Sequence, residues 1–406
     1  MPTRLKVLQV GKFYPPHRGG METHLETLCQ SLKDRVDIDV VVANSGSETE
    51  VGLVNDIPVT RLRTMMRVAS TSITLELVRK VRTTDAHIVH VHLPNPWAVF
   101  CVFLSGTKLP IVTTYHSDIV RQRVLGTLYG PLQEWFMKRC STVIVTSSNM
   151  LNHSSQLSRY GAKLSVIPLG VSASLLNPPD VADVLRIRAE YGQRLVLAVG
   201  RLVEYKGIGY LIQAMNHVDG KLLIVGTGPL GKKLSDLSKT LGLERRVVFL
   251  GEVPANELRA IYHACDVFAL PSIASNEAFG LVQVEAMAAG RPVVNTELPS
   301  GVPFVSKHGE TGYTVPPKSP KQLARAINVL LSDDALRERL GNAARDRVWS
   351  LFTAERMATE TLRVYETVYE SVHEHAPGRQ PVRSSLQHIA PPRAQSSART
   401  VVGFRD

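Results

Sequence analysis

Pro271-Ser272-Ile273-Ala274-Ser275-Asn276-Glu277-Ala278-Phe279-Gly280-Leu281-Val282-Gln283-Val284-Glu285-Ala286-Met287-Ala288-Ala289-Gly290 is the stretch on which the reading of this chain turns. It follows a strand-like run, Val267–Leu270, and opens a helix whose apolar positions Leu281, Val284, Met287 and Ala288 recur at helical spacing. Gly290 stops that helix in the C-terminal glycine position. Glu277 falls in the loop before the helix and Glu285 one turn inside it, about 12 Å apart at 1.5 Å per residue. A ligand held by both is long, with hydroxyl-rich ends. Its middle faces the helix start at Phe279, Gly280 and Leu281, where free N–H groups and the helix dipole favour an anion. A sugar joined through a diphosphate to a ribose fits. The same glutamates also read as ordinary helix-surface charges, so the surrounding motifs must decide.

Outward from that stretch, strand-like and helical runs alternate. The first block has strands at Leu5–Val10, Ile38–Val42, His87–Val91, Ile111–Thr114, Thr142–Val145 and Leu164–Ile167. Helical stretches lie between several of them, at Met21–Leu32, Ile73–Val81, Ile119–Arg139 and Asn149–Arg159. The second block has strands at Leu195–Val199, Lys221–Val225, Val247–Leu250, Val267–Leu270 and Pro292–Asn295. Such alternation implies α/β architecture, two doubly wound Rossmann-like domains with mainly parallel sheets facing each other across a cleft. The expected division is a first domain over residues 1–170, a linker at 171–183 and a second domain over 184–350. A helix over 351–374 and a disordered basic tail over 375–406 complete it.

Composition sets bounds. The 406 residues are 44% hydrophobic and 20% charged, which suits two globular domains. No apolar run reaches the ~18 residues of a membrane span, and the N-terminus reads as a buried strand rather than a signal peptide. Cys29, Cys101, Cys140 and Cys265 are scattered without metal or redox spacing and read as reduced core residues of a cytoplasmic protein. A net charge of +11 attracts anions. The basic residues are dispersed and no nucleic-acid motif appears, which argues against nucleic acid as the partner.

Other loops carry candidate chemistry. Gly19 and Gly20 sit between the first strand and first helix, where backbone can approach a phosphate or merely make a tight turn. His116, after Ile111–Thr114, is placed to meet a sugar hydroxyl or to serve the fold. Arg201 and Lys206, after Leu195–Val199, offer a planar fork and a mobile cation for a diphosphate; both also read as surface charge. Gly226-x-Gly228-Pro229-x-Gly231 matches the dinucleotide fingerprint, with Glu252 about 20 residues on, but after the domain's second strand rather than its first. Pro229 suits the first helical position. An oxidoreductase using NAD(P) or FAD is therefore an alternative reading. Asp37-Ile38-Asp39 adjoins a strand and is not expected to hold metal; no metal site is expected elsewhere.

Arg201-Leu202-Val203-x-x-Lys206-Gly207, Gly226-x-Gly228-Pro229 and Glu277-x-Phe279-Gly280 with Glu285 together resemble the retaining family 4 glycosyltransferases of GT-B fold. Gly19–Gly20 and His116 fit the same pattern, which spans roughly Leu5 to Val372. Asn295–Val302 and His308–Gly312 resemble bacterial members that build surface polysaccharides or lipid-linked oligosaccharides. The resemblance implies that Arg201 and Lys206 hold the donor diphosphate with help from backbone at Gly19–Gly20 and Phe279–Leu281. Glu277 would bind the donor sugar, Glu285 the ribose, and His116 would line the sugar site. It implies no cofactor beyond a nucleoside-diphosphate sugar donor such as GDP-mannose or a UDP-hexose. The acceptor would be a glycan or a polyprenyl-linked species, and the last long helix would cross back to the first domain. A GT-B nucleotide-sugar epimerase is a second alternative. Ile119–Arg139 carries Arg121, Arg123, Lys138 and Arg139 among Val124, Leu125, Leu128, Leu132, Trp135 and Phe136. That helix reads either as a peripheral contact with the anionic inner face of the cell membrane or as a core-packing helix with solvated ends.

Overall fold

A computed structural model of the protein describes residues 4–17, 19–68, 71–117, 123–154 and 156–373. The expected basic tail lies outside the described residues, as do Ile119 and Arg121 of the basic helix and the side chains of Arg123, Val124, Leu125 and Leu128.

Two sheets carry the fold. The first has eight strands drawn from Leu5–Val10 to Leu164–Val166, all parallel except the edge strand Glu50–Val54, which pairs antiparallel with Ile57–Leu62. The second has six parallel strands, from Leu195–Val199 to Gly312–Val315. Central strands such as Ile88–Leu93 and Ile111–Tyr115 are buried along their whole length, as parallel strands covered on both faces must be.

Departures from the sequence reading have local causes. Thr71–Ile73 is a short strand, so the helix expected from Ile73 begins at Glu76. The helix expected over Asn149–Arg159 ends at His153, followed by a 3-10 stretch at Leu157–Lys163 that is non-helical at Tyr160. Pro229 lies before the helix Gly231–Thr240, not at its first position. Asp37 and Asp39 belong to the strand Val36–Ala43, where Arg4 and Lys80 pair with them. All four cysteines are free and buried.

The last helix, Ala354–His373, packs on Gly20–Leu32 and places Met357, Ala358, Tyr365 and Val368 in the core layer with Val7, Ile88 and Val112 of the first sheet. The chain therefore passes between the sheets twice, side by side. Val171 donates to the Phe352 carbonyl at 2.8 Å and Ala354 donates back to Val171 at 3.0 Å. Among the described residues no helix is long and apolar enough to cross a membrane.

Candidate active site

Three loops meet at the carboxyl edge of the second sheet. After Leu195–Val199 the chain makes a 3-10 turn, Glu204–Lys206, closed by Gly207 at φ 66°. Gly207 runs so close to the next loop that a Cβ would lie 2.1 Å from the Pro271 carbonyl oxygen. Ile273 N–H donates to the Tyr205 carbonyl at 2.8 Å. These contacts dock the turn against the loop before Leu281–Ala288, and they bring Lys206 Nζ to 2.6 Å from Glu277 Oε2. Ser272 Oγ donates to the same carboxylate oxygen at 3.0 Å. The aliphatic end of Lys206 lies over Gly200, where a Cβ would meet Cε and Nζ at 3.3 Å.

Electrostatics keep Lys206 charged. Burial would lower the Lys206 pKa, but the adjacent Glu277 carboxylate and the field of Glu285 outweigh it and leave the ammonium above its usual range. Glu285 behaves oppositely. Burial raises its pKa, while the Tyr262 hydroxyl, donating to Oε2 at 2.7 Å, and the Lys206 charge pull it back. One cation thus faces both acids. The resemblance implies that Lys206 meets the diphosphate and Glu277 the sugar; in the structure the two side chains also touch each other. Arg201 is exposed at the rim of the same turn.

Below the acids, Gly280 caps the helix at φ 73° and Phe279 is buried against Phe352. Gly290 N–H donates to the Met287 carbonyl and Arg291 N–H to Ala286, the paired bonds of a glycine-terminated helix. Gln283 and Asn295 form a buried amide network, with Asn295 Nδ2 donating to Gln283 Oε1 at 3.1 Å. That network joins the helix carrying Glu285 to the next strand. Leu281, the first helical residue, is half-buried.

Gly226 and Gly228 are used for close backbone packing. A Cβ at Gly226 would lie 2.3 Å from the Gly200 carbonyl oxygen, and one at Gly228 2.5 Å from that of Leu202. The turn after the second strand is therefore filled by the Arg201–Lys206 loop, which accounts for the fingerprint glycines without a dinucleotide.

The first domain meets this site directly. Ala278, next to Glu277, packs on the first domain's core, and a Cβ at Gly301 would lie 3.1 Å from Ser147 Oγ. Gly20 opens the first helix, with Gly19 as its extended cap and Thr23 N–H donating to the Gly19 carbonyl. Glu22, in that first turn, is raised in pKa by burial and opposed by Lys12. His116 is buried, its backbone N–H on the Leu93 carbonyl and its Nε2 without a partner. It stands beside His24 and His92, with one ring nitrogen from each within 4.8 Å of the others. Sequence reasoning missed His24, His90, His92 and Tyr262. The signal for two of them was present: imidazoles at alternate positions of the otherwise apolar strand Ile88–Leu93.

The chain is similar to known proteins along most of its length. Residues 18–175 match the family described as Glycosyltransferase Family 4, and residues 186–347 match Glycosyl transferases group 1. D-rhamnosyltransferase WbpZ of Pseudomonas aeruginosa is 33% identical over 86% of this chain and 93% of its own length. O-antigen chain mannosyltransferase C of Escherichia coli is 30% identical over 90% of this chain and 100% of its own. Among solved structures, sucrose-phosphate synthase from Thermosynechococcus elongatus superposes with a TM-score of 0.77 at 25% identity, covering 91% of this chain and all of that one.

Proposed function

The chain belongs to the family 4 glycosyltransferases and has their two-domain GT-B fold, and from that membership we propose which sugar it moves and with which residues. It is a retaining hexosyltransferase. Our reading is that it takes a mannose- or glucose-type sugar from a nucleoside-diphosphate donor, GDP-mannose or a UDP-hexose. The acceptor is a growing glycan or a polyprenyl-linked oligosaccharide of the cell surface. Two relatives named for rhamnosyl and O-antigen mannosyl transfer support the sugar and acceptor class.

The observation that carries the residue roles is the Lys206–Glu277 contact beside Glu285. As the nucleoside diphosphate departs, negative charge grows on its outer phosphate. Lys206, already charged and held in place, stabilises that charge with no reorganisation, and Arg201 adds a fork of donors from the rim. The helix start at Phe279–Leu281 and the Gly19–Gly20 turn offer backbone N–H groups to the phosphates. Glu277 accepts from donor-sugar hydroxyls, Glu285 from the ribose, and His116 lines the sugar. The acceptor hydroxyl attacks from the face the leaving group vacates, passing its proton to the departing phosphate oxygen.

A peripheral contact with an anionic membrane fits exposed Phe103 and Leu104 beside Trp135, on the side where Lys138 is also exposed. Arg139 is committed to the Leu109 carbonyl at 2.9 Å and Phe136 to the core, so much of the basic helix serves the fold. Sedimentation with anionic liposomes at low salt tests this contact.

The transferase reading is tested by incubating the full chain with a panel of nucleoside-diphosphate sugars and a polyprenyl-linked acceptor. Nucleoside diphosphate release and a product of unchanged anomeric configuration are expected. Release of free epimerised sugar, or heat protection by a nicotinamide cofactor and by no nucleotide sugar, would overturn it.

A further inference from the structure

One face of the first sheet carries polar side chains where its neighbours are apolar. Gln9, His90, His92 and Thr114 are buried there, with Gln9 beside His90 and His92 beside Thr114 in the strand register. Tyr365 of the returning helix closes over them, itself fully buried. The hydrogen bonds run as one chain. Gln9 Nε2 donates to Tyr365 Oη at 2.9 Å, which leaves Gln9 Oε1 to accept from His92 Nε2 at 3.0 Å. Having accepted from Gln9, the Tyr365 hydroxyl donates to His90 Nδ1 at 2.6 Å, and His90 Nε2–H is left for Thr114 Oγ1 at 2.8 Å. An amide has one donor end and one acceptor end, so this arrangement sets both imidazole tautomers together.

The outcome matters beside His116. With its proton on Nε2, His92 keeps an Nδ1 lone pair that is buried and without a partner, in the cluster it forms with His24 and His116. His24 has both nitrogens unpartnered and His116 its Nε2. Burial keeps all three imidazoles neutral, so none brings a charge. One ring nitrogen from each lies within 4.8 Å of the others, and a hydroxyl oxygen at hydrogen-bond length from these nitrogens fits that spacing.

We infer that Gln9 and Tyr365 are positioning residues: by directional hydrogen bonding they hold His92 as the Nε2–H tautomer, so that its Nδ1 is an acceptor for a hydroxyl bound at the His24–His92–His116 cluster. The docking of the returning helix is thereby part of the sugar site. The effect on transfer rests on the proposed role of His116; the tautomer assignment does not.

The test labels the histidines of the full chain with 15N and reads each tautomer from long-range proton–nitrogen correlations, His92 being assigned from the His92→Asn spectrum. The expected result is an Nε2–H His92 in the parent and a shift toward Nδ1–H in Tyr365→Phe and Gln9→Met. With an active parent, kcat should fall about tenfold in Tyr365→Phe, the worth of one net hydrogen bond, while donor KM stays within about twofold. If Gln9→Met does not fold, Tyr365→Phe, which removes a single oxygen, carries the test alone. An Nδ1–H His92 in the parent, or a variant with unchanged tautomer and kcat, overturns the inference. Tautomers that shift in the variants, with a parent that transfers no sugar, support the coupling and overturn the transferase reading instead.

Discussion

Gly207 and Pro271 are in backbone contact: a side chain at 207 would drive its Cβ to 2.1 Å from the Pro271 carbonyl oxygen. This approach seats the Glu204–Lys206 turn on the loop that carries Glu277, so a site built from two distant stretches depends on the absence of one methyl group. Gly207→Ala is expected to cost about 1–3 kcal/mol, from its positive φ and from the backbone displacement. A urea midpoint unchanged from the parent would contradict that account. Donor turnover should fall with it, because Lys206 moves with the turn.

Lys206→Met removes the charge and keeps the stem. The expected loss is about 10²–10³ in kcat, the scale of one preorganised electrostatic donor. Glu277→Gln should instead act mainly on donor-sugar recognition. Steady-state kinetics at saturating donor separate the two, and near-parental turnover by Lys206→Met would remove this cation from the mechanism.

Tyr262→Phe deletes the hydroxyl that donates to Glu285. That bond lowers the Glu285 pKa against the raising effect of burial, so its loss pushes the carboxyl further up. Donor affinity needs the ionised acceptor, and it should decline as pH falls through the Glu285 pKa. In the variant this decline is expected at higher pH than in the parent. Calorimetric titration of the nucleoside diphosphate across pH checks it; superimposable profiles would reject the ribose assignment.

The buried imidazoles should make the fold acid-sensitive. Burial lowers His90 to about 3 and His116 to about 4, and lowers His24 and His92 as well. Their folded pKa values lie below the unfolded value of about 6.5, so the unfolded chain binds protons first as pH falls. The stability they contribute is complete above that pH and declines toward the folded values, by about 1.4 kcal/mol per pH unit for each proton of difference. Urea midpoints at about pH 7 and about pH 5.5 should diverge less in His116→Asn than in the parent. Equal divergence would mean that His116 is already solvated.

The site was partly legible in the primary structure. Glu277, Arg201 and Lys206 stand out in the sequence because strand–loop–helix units expose loop residues at the sheet's carboxyl edge, and Glu285 because it lies one turn inside the helix that follows. Gly226 and Gly228 read as a phosphate- or base-facing turn, whereas it is the Gly200–Leu202 backbone that packs against them. His24 and Tyr262 escaped notice because nothing in one segment reveals which side chains another brings beside it.

Local rules were enough for several elements: apolar periodicity bounded Leu5–Val10, Leu195–Val199 and Val267–Leu270, and Gly290 marked a helix end, because these depend on residues within a turn or two. Only the folded chain decided that Lys206 rests on Glu277, that Glu285 is held by Tyr262, and that Tyr365 reaches back to Gln9 and His90. Those contacts join segments far apart in the chain. They exist because backbone packing without side chains at Gly207, and burial of polar groups that must find partners, admit few arrangements.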